Sequence, residues 1–310
     1  MSPKFPPYDY RDPVPPGRLP SRSPCTGLRI LVVGCGYLGT SVGRISANQG
    51  DIVYATTRNA SGAVRLRNAG FIPVVVNWTD RRTLRSLPEV DRIVVAVSYD
   101  TSSRMTRYES QVGGLRNLLQ ATPAKVNLCY ISTTGVYHQT DGSWVDERSP
   151  TFPTRQGGVV HLQAEELLHR YRPDSPWTIL RLAGIYGPGR VPRIADVIAG
   201  RCIASNQSGF LNLIHVHDAA RAVRAALQNA PNRLYAVSDN QPMRRSEFYR
   251  EIARQCGAPM PSFRSPDINS SKQLRSESNK RIWNRRLRAD LLPKLLYPTY
   301  RDGLVQVLST

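Results

Sequence analysis

Short apolar runs that are rich in β-branched residues alternate with segments of helical periodicity along most of the chain. The runs read LRILVVG, DIVYATT, FIPVVVN, DRIVVAVS, VNLCYIS and WTILRLAG. Strands that are buried on both faces give continuous apolar runs, and the helical segments between them supply the crossovers of a parallel sheet. The pattern therefore predicts an α/β fold with a doubly wound parallel sheet, a Rossmann fold.

The same pattern predicts how the chain is divided. Residues 28–184 are expected to form the dinucleotide-binding Rossmann domain, to which residues 211–240 partly return. The alternation of apolar runs and helical segments becomes less regular afterwards, so residues 185–310 are expected to form mainly a smaller C-terminal substrate lobe. Residues 1–27 are rich in proline and poor in apolar side chains, which predicts a disordered extension because such a segment buries too little apolar surface to order itself.

Composition narrows the class of protein. The chain has 310 residues, of which 40% are hydrophobic, so it can bury a sizeable core. It contains no apolar run of membrane-spanning length and no hydrophobic leader, so a cytoplasmic protein is expected. Five scattered cysteines without a CxxC pair favour reduced thiols over disulfides or a metal site.

A formal net charge of +19 is the strongest anomaly of the composition. Such a surface attracts phosphates, nucleic acids and anionic membranes. However, the arginines are spread along the whole chain, and the sequence contains no nucleic-acid-binding motif. We therefore expect an anionic small molecule as the partner, rather than a nucleic acid or a membrane.

A glycine motif stands between the first predicted strand and the first predicted helix. In ILVVGCGYLG, Gly34 permits a tight turn, Gly36 lets the backbone approach a pyrophosphate, and Gly39 allows close helix packing. The following helix, which starts near Tyr37 and Leu38, offers its amide groups to the phosphates. These residues predict a dinucleotide site.

The end of the second strand indicates which dinucleotide is bound. In YATTRN, Thr57 and Arg58 stand where dinucleotide folds read the adenosine ribose, and the segment contains no carboxylate for a 2′-hydroxyl. A basic residue at this place accepts a 2′-phosphate. NADP is therefore favoured over NAD, with the alternative that Arg58 is an incidental surface residue.

Three downstream motifs add a family resemblance. ISTTGVY, RLAGIYGPG and LIHVHDAARAV resemble, in order and spacing, the segments SS-x-x-VY, R-x-x-x-x-YGPG and F-x-H-V-x-D-x-A of the extended short-chain dehydrogenase/reductase superfamily, in its NAD-dependent epimerase/dehydratase branch. The likeness runs from about Leu28 to Leu304. More narrowly, GCGYLG and the C-terminal segment resemble an atypical subgroup of NAD(P)-binding proteins.

The resemblance implies further cofactor contacts. Asn77 and Trp78 match the family's Asp-hydrophobic pair beside the adenine. Ala96 and Ser98 fall in the loop after the fourth strand, which lines the cofactor in the family. Gln111 stands where family members often carry asparagine.

The resemblance also implies an unusual reaction centre. Thr133 matches the family's hydroxyl residue that polarises the substrate oxygen. Counting back from AEEL places Gly157 at the tyrosine and His161 at the lysine of the family's Tyr-x-x-x-Lys motif, so both residues are missing. His161 is the candidate substitute because imidazole titrates near neutrality; the alternative is that it only binds the ribose or packs. Thr134 and Gly135 replace the acid and base of sugar-nucleotide dehydratases, which disfavours that activity.

Other side chains are weaker candidates for the same pocket. They are Tyr99, Asp100, Tyr137 and His138. His215, His217 and Asp218 could suggest a metal, but substrate-lobe contacts or a helix cap by Asp218 are preferred. The basic stretch from Lys272 to Lys294 could either meet a diphosphate, as such residues often do in the family, or form a solvated face.

Two functions therefore stay open. The first is an NAD(P)-binding oxidoreductase or epimerase-like enzyme that acts on a sugar nucleotide or another anionic carbonyl or hydroxyl substrate. The second is a catalytically silent NAD(P)-binding sensor or scaffold, which the loss of the tyrosine and lysine suggests. A homodimer is one expected assembly.

Overall fold

A computed structural model describes residues 27–229, 232–266 and 278–309 of the protein. The predicted N-terminal extension therefore lies, except for Gly27, outside the described residues. Lys272 and Arg275 of the basic stretch also lie outside them. Among the helices that are described, none is long and apolar enough to cross a membrane.

Fifteen strands and nine α-helices make up most of the described part of the fold. The strands are β1 (Arg29–Val33), β2 (Ile52–Thr57), β3 (Ile72–Val75), β4 (Arg92–Val95), β5 (Asn127–Thr133), β6 (Trp144–Val145), β7 (Trp177–Leu182), β8 (Gly184–Tyr186), β9 (Ile203–Ala204), β10 (Phe210–Leu211), β11 (Leu213–His215), β12 (Arg233–Val237), β13 (Met243–Arg244), β14 (Phe263–Arg264) and β15 (Arg281–Ile282). The helices are α1 (Tyr37–Asn48), α2 (Ala60–Asn68), α3 (Gly114–Ala121), α4 (Gln156–Tyr171), α5 (Ile194–Ile198), α6 (Val216–Asn229), α7 (Arg245–Cys256) and two near the C-terminus, Arg285–Asp290 and Tyr300–Leu308.

Seven parallel strands form the central sheet in the order β12-β7-β5-β4-β1-β2-β3. This order confirms the predicted doubly wound Rossmann sheet. In β1, Ile30 and Val32 pack on one face while Leu31 and Val33 pack on the other, which is why the strand reads as an unbroken apolar run. The seventh strand, β12, comes from the segment 211–240.

Helices cover both faces of the sheet. Residues of α1 and α6, among them Val42 and Val223, share one buried cluster with β1. Residues of α3 and α4, among them Leu118 and Leu168, share the cluster on the opposite face. A third cluster around Tyr186, Phe248 and Tyr300 forms the core of the C-terminal lobe.

The topology determines where a site can form. The chain runs outward from β1 in one direction through β2 and β3, and in the other through β4, β5 and β7. Ligands of open α/β sheets bind at such a reversal, outside the carboxyl ends of the strands. The segments that follow β1, β2, β4 and β5 therefore meet at one edge of the sheet.

Candidate functional site

The glycine loop after β1 has the geometry that its sequence predicts. Gly34 has φ of +91°, and a Cβ atom there would lie 2.7 Å from the backbone of Ala96. A Cβ atom on Gly39 would lie 2.4 Å from the carbonyl oxygen of Gly34. Both positions therefore exclude a side chain for reasons of backbone conformation or packing.

Gly36 differs from the other two glycines because a Cβ atom there would meet nothing within 4 Å. It is the N-cap residue of α1, where no side chain caps the helix and the first turn holds no acidic residue. Its φ of −87° does not demand glycine. The open space and the uncapped helix end form a cradle that fits a pyrophosphate.

The side chains of Tyr37 and Leu38 are engaged within the protein. Tyr37 donates a hydrogen bond to the carbonyl oxygen of Pro188 at 3.1 Å, and the guanidinium of Arg190 lies 5.4 Å from its ring centroid. Leu38 is buried. Their contribution to a dinucleotide would therefore come from the backbone.

At the end of β2, Arg58 pairs with a carboxylate from the loop after β4. Its Nη2 lies 3.0 Å from Oδ2 of Asp100, and both side chains are more than a third exposed. Hydrogen bonds from Ser102 and Arg58 lower the pKa of Asp100. Arg58 thus lies at the predicted edge of the site with an anion already beside it. The Thr57 side chain packs against the first turn of α2.

The predicted adenine pair follows β3, and both of its side chains are engaged within the protein. The side-chain oxygen of Asn77 accepts hydrogen bonds from the amide and hydroxyl of Thr79. Trp78 is only 8% exposed, and a Cβ atom on Gly114 would lie 2.4 Å from its ring. The indole is therefore part of the core, so a contact with adenine would have to come from the backbone of Trp78.

A buried glutamine side chain holds the loop after β4. Ala96 is half-buried against Gly34, and Ser98 is exposed. Gln111 is 2% exposed and donates from Nε2 to the carbonyl oxygen of Val97 at 3.3 Å. This bond holds the loop in place and explains why an amide side chain occupies the position.

Thr133 lies at the end of β5, where the strand turns into a short 3₁₀ helix. Its Oγ1 accepts a hydrogen bond from the amide of Gly135 at 3.0 Å. The hydroxyl proton is therefore available for a ligand oxygen. The first turn of α4 packs directly on this corner, since a Cβ atom on Gly158 would lie 2.4 Å from the carbonyl oxygen of Gly135.

An arginine side chain lies next to Gly157, the residue that the family resemblance places at the tyrosine position. A Cβ atom on Gly157 would lie 3.9 Å from Nη1 of Arg107. The Cζ atom of Arg107 lies 4.3 Å from the ring centroid of Tyr99, whose hydroxyl donates to the carbonyl oxygen of Met105. No sequence motif pointed to Arg107.

His161 is hydrogen-bonded to a tyrosine of β5. Its Nδ1 lies 3.0 Å from the hydroxyl of the buried Tyr130, with which it shares a hydrogen bond. Burial, and secondarily the charge of Arg107, lowers the pKa of His161 to about 4. The imidazole is therefore neutral at pH 7, which favours the packing or ribose-binding alternative over proton donation.

A buried ion pair next to Thr133 connects α4 to β7. Glu165 on α4 accepts two hydrogen bonds from Arg181 on β7, at 3.0 and 2.6 Å. The Ser132 hydroxyl donates to Oε1 of Glu165 at 2.5 Å, and Arg181 donates to the Tyr137 hydroxyl at 3.1 Å. Burial raises the pKa of Tyr137 to about 12, so this tyrosine is a structural group. His138 is exposed and packs edge-on against Phe152.

A cavity of about 520 Å³ opens in front of Thr133. Four basic side chains contribute to its wall, namely Arg155, Arg193, Arg245 and Lys280. None of the described residues along this wall carries a carboxylate. Lys280 comes from the basic stretch considered above, and the four side chains give the wall of the cavity a positive charge.

Two of these cations are held under unusual conditions. Lys280 is 4% exposed and donates to the Tyr137 carbonyl oxygen at 3.1 Å; burial and the charges of Arg155 and Arg245 lower its pKa to about 8. Arg193 has φ of +56°, a left-handed conformation that is unfavourable for arginine. Backbone strain of this kind is common at functional sites.

The histidine cluster is structural. His215 is fully buried and its ring centroid lies 3.9 Å from that of Tyr297. Asp218 accepts hydrogen bonds from the amides of Leu296 and Tyr297 and so connects α6 to the C-terminal segment. Within the described ranges, no group of three or more His, Cys, Asp or Glu side chains could hold a metal ion.

Comparison with known proteins gives a family and several relatives. The model of the NAD dependent epimerase/dehydratase family matches residues 30–238. "Protein YeeZ" of Escherichia coli (strain K12) is 27% identical over 253 residues, which cover 79% of this chain and 89% of that protein. A "3-diazoavenalumate denitrifying reductase" of a Streptomyces species is 24% identical over 290 residues, covering 78% and 93% respectively.

Solved structures match over most of the chain. A putative NAD-dependent epimerase/dehydratase from Methylobacillus flagellatus is 31% identical, with a TM-score of 0.72 over 91% of this chain and 98% of that chain. UDP-glucose 4-epimerase from Thermus thermophilus, in complex with NAD, is 18% identical with a TM-score of 0.73, over 91% and 98%. The second likeness concerns the fold.

Proposed function

The chain belongs to the NAD dependent epimerase/dehydratase family, and on that premise we propose that it is an NADP-dependent oxidoreductase or epimerase-like enzyme for an anionic carbonyl or hydroxyl substrate. Sugar nucleotides belong to this substrate class. One observation carries the proposal: Thr133 opens into a cavity with four basic side chains and no carboxylate among its described residues. An anion held there would bring a neighbouring oxygen to the threonine.

Backbone and side-chain groups of the site have separate roles in this proposal. The amides at the start of α1 hold the pyrophosphate of the dinucleotide beside Gly36. Arg155, Arg193, Arg245 and Lys280 neutralise the anionic group of the substrate, while the Thr133 hydroxyl donates a hydrogen bond to the reacting oxygen. The nicotinamide, when bound, supplies or accepts a hydride.

Turnover is tested by NADPH oxidation with a panel of anionic carbonyl compounds that includes a UDP-4-keto sugar and phenylglyoxylate. The proposal is supported if wild type consumes NADPH and the Thr133→Val variant consumes it more slowly. Tight NADPH binding without consumption of any compound would instead favour the second candidate, a silent sensor or scaffold. That candidate is motivated by Gly157 and His161, which replace the proton-transfer pair.

The basic cavity predicts a specific effect of Arg193→Gly. Glycine relieves the left-handed conformation, so we expect the free energy of unfolding to change by less than about 1 kcal/mol. The affinity of the dinucleotide complex for UDP-glucose should fall about tenfold, because a charge-assisted hydrogen bond is lost. Calorimetry measures both.

Arg201→Ala is the matched control for that experiment. Arg201 pairs with Asp196, as Arg193 does, but it does not line the cavity. We expect UDP-glucose affinity to stay within about twofold of wild type in this variant. Equal losses in the two variants would count against a substrate role for Arg193.

The choice between NADP and NAD is tested at Arg58. Arg58→Ala should weaken NADP⁺ binding by about tenfold or more and leave NAD⁺ binding nearly unchanged, since only NADP⁺ carries the 2′-phosphate. Asp100→Asn should strengthen NADP⁺ binding by removing a competing anion. Fluorescence titration measures the dissociation constants of both dinucleotides for each variant, with Arg82→Ala as the control because Arg82 is an exposed arginine paired with Asp80. Equal loss of both dinucleotides would argue against the assignment.

A further inference from the structure

We propose that Arg107 replaces the missing tyrosine, and that its guanidinium holds the substrate oxygen at the reaction centre and balances the negative charge that develops there. The inference rests on the proposed function and deepens it by naming the group that acts beside Thr133. It also specifies a substrate whose reacting atom is an oxygen that becomes negatively charged.

The position of Arg107 is the first support. The guanidinium borders the place of a side chain on residue 157, with Nη1 at 3.9 Å and Cζ at 4.0 Å from the Cβ position of that residue. Arg107 belongs to the segment after β4, which the family resemblance places along the cofactor. Glycine at 157 therefore leaves this side of the guanidinium uncovered, because even a Cβ atom there would already be in van der Waals contact with it.

The surroundings of the guanidinium are the second support. The ring of Tyr99 lies under Cζ, and the side chain is half-buried. The Nε atom of Arg107 is buried and makes no hydrogen bond with the described residues. Because Nε is covered, an anionic or carbonyl oxygen would be bound through the Nη atoms of this cation, which packs on an aromatic ring.

The chemistry of the guanidinium defines what it can do. Arginine keeps its proton at every physiological pH, so it cannot serve as the general acid that tyrosine provides. When a hydride adds to a carbonyl carbon, the π electrons move to the oxygen. Arg107 would stabilise the resulting alkoxide as a fixed positive charge, in the manner of an oxyanion hole. The alkoxide then takes its proton from water, and the buffer neutralises the hydroxide ion that forms.

His161 agrees with this arrangement and supplies the reporter for a test. Its imidazole is neutral at pH 7 and hydrogen-bonded to Tyr130, so the position of the family lysine holds no second cation. The charge of Arg107 contributes to its low pKa. An anion that binds Arg107 should therefore raise the pKa of His161.

The test uses nitrate, a small planar oxyanion, as the probe on the NADP⁺ complex at constant ionic strength. In wild type, nitrate should raise the pKa of His161, measured by NMR, by about one unit, because it neutralises a nearby positive charge. Arg107→Ala should start from a higher pKa and should not respond to nitrate. Arg107→Lys, which keeps the charge, should respond in part.

Arg104→Ala is the matched control, since Arg104 is an exposed arginine three residues earlier in the same segment. It should respond to nitrate as wild type does. The inference is overturned if nitrate leaves His161 unchanged in wild type, or moves it equally in Arg107→Ala. It is also overturned if Arg107→Ala loses NADP⁺ affinity more than about threefold, because Arg107 would then be a cofactor ligand.

Calorimetry of NADP⁺ on the same samples separates the two proposals. Wild type that binds no dinucleotide refutes the proposed function and, with it, this inference. Wild type that binds NADP⁺ without the nitrate response refutes the inference alone. On a carbonyl substrate from the NADPH assay, Arg107→Ala should lower kcat about 100-fold with KM little changed, as removal of an oxyanion-hole donor does.

Discussion

Gly36→Asp is expected to weaken NADP⁺ binding at least about 100-fold, or by about 2.7 kcal/mol, without loss of folding stability. The new carboxylate would occupy the open space beside the helix end and repel the pyrophosphate. Aspartate is also a favourable N-cap residue, so α1 should be as stable as before or slightly more stable. Calorimetric titration and thermal unfolding measure the two quantities.

Gly39→Ala is the contrasting variant in the same loop. Its Cβ atom would lie 2.4 Å from the Gly34 carbonyl oxygen, so the loop and helix must separate, and both stability and binding should fall. If Gly36→Asp bound NADP⁺ like wild type, the loop could not be the pyrophosphate site. If it lowered the unfolding temperature as much as Gly39→Ala, its effect on binding would be only structural.

The fold and the phosphate loop could be predicted because both depend on local sequence. Burial on two faces makes a central strand continuously apolar, as in β1. A backbone position with positive φ, or one that another backbone segment approaches closely, requires glycine and is therefore recognisable in the sequence. Gly34 and Gly39 are of this kind. The family likeness added the position of Thr133 at the end of β5, whereas the absence of the tyrosine and lysine stays a prediction.

The reaction centre could not be predicted in the same way, because distant segments build it. Arg107 is one of many arginines, and only the folded chain places it above Gly157. The pKa of His161 depends on burial and on that same arginine, so the pattern alone could not show that the imidazole is neutral. Trp78 was expected beside the adenine, but packing against Gly114 places its indole in the core.

The Glu165 and Arg181 pair shows a third case, in which the residues were visible in the motifs but their partnership was not. Glu165 stands in AEEL and Arg181 in RLAGIYGPG, and the fold brings them to 2.6 Å with side chains 3% and 7% exposed. Because Ser132 also bonds Glu165, the pair connects α4 to β5 and β7 directly behind Thr133. It therefore helps to fix the position of Thr133.

Glu165→Ala is accordingly expected to lower the free energy of unfolding by about 3–5 kcal/mol, because it leaves the Arg181 charge buried without a partner. Urea denaturation measures the change. Glu166→Ala, at the next position of the same helix, should cost less than about 1 kcal/mol, since its pair with Arg170 is exposed. The double variant Glu165→Leu with Arg181→Met should lose less than Glu165→Ala alone, because no buried charge remains. A loss in Glu165→Ala no larger than in Glu166→Ala would show that water or another group compensates Arg181, and that the pair does not hold Thr133 in place.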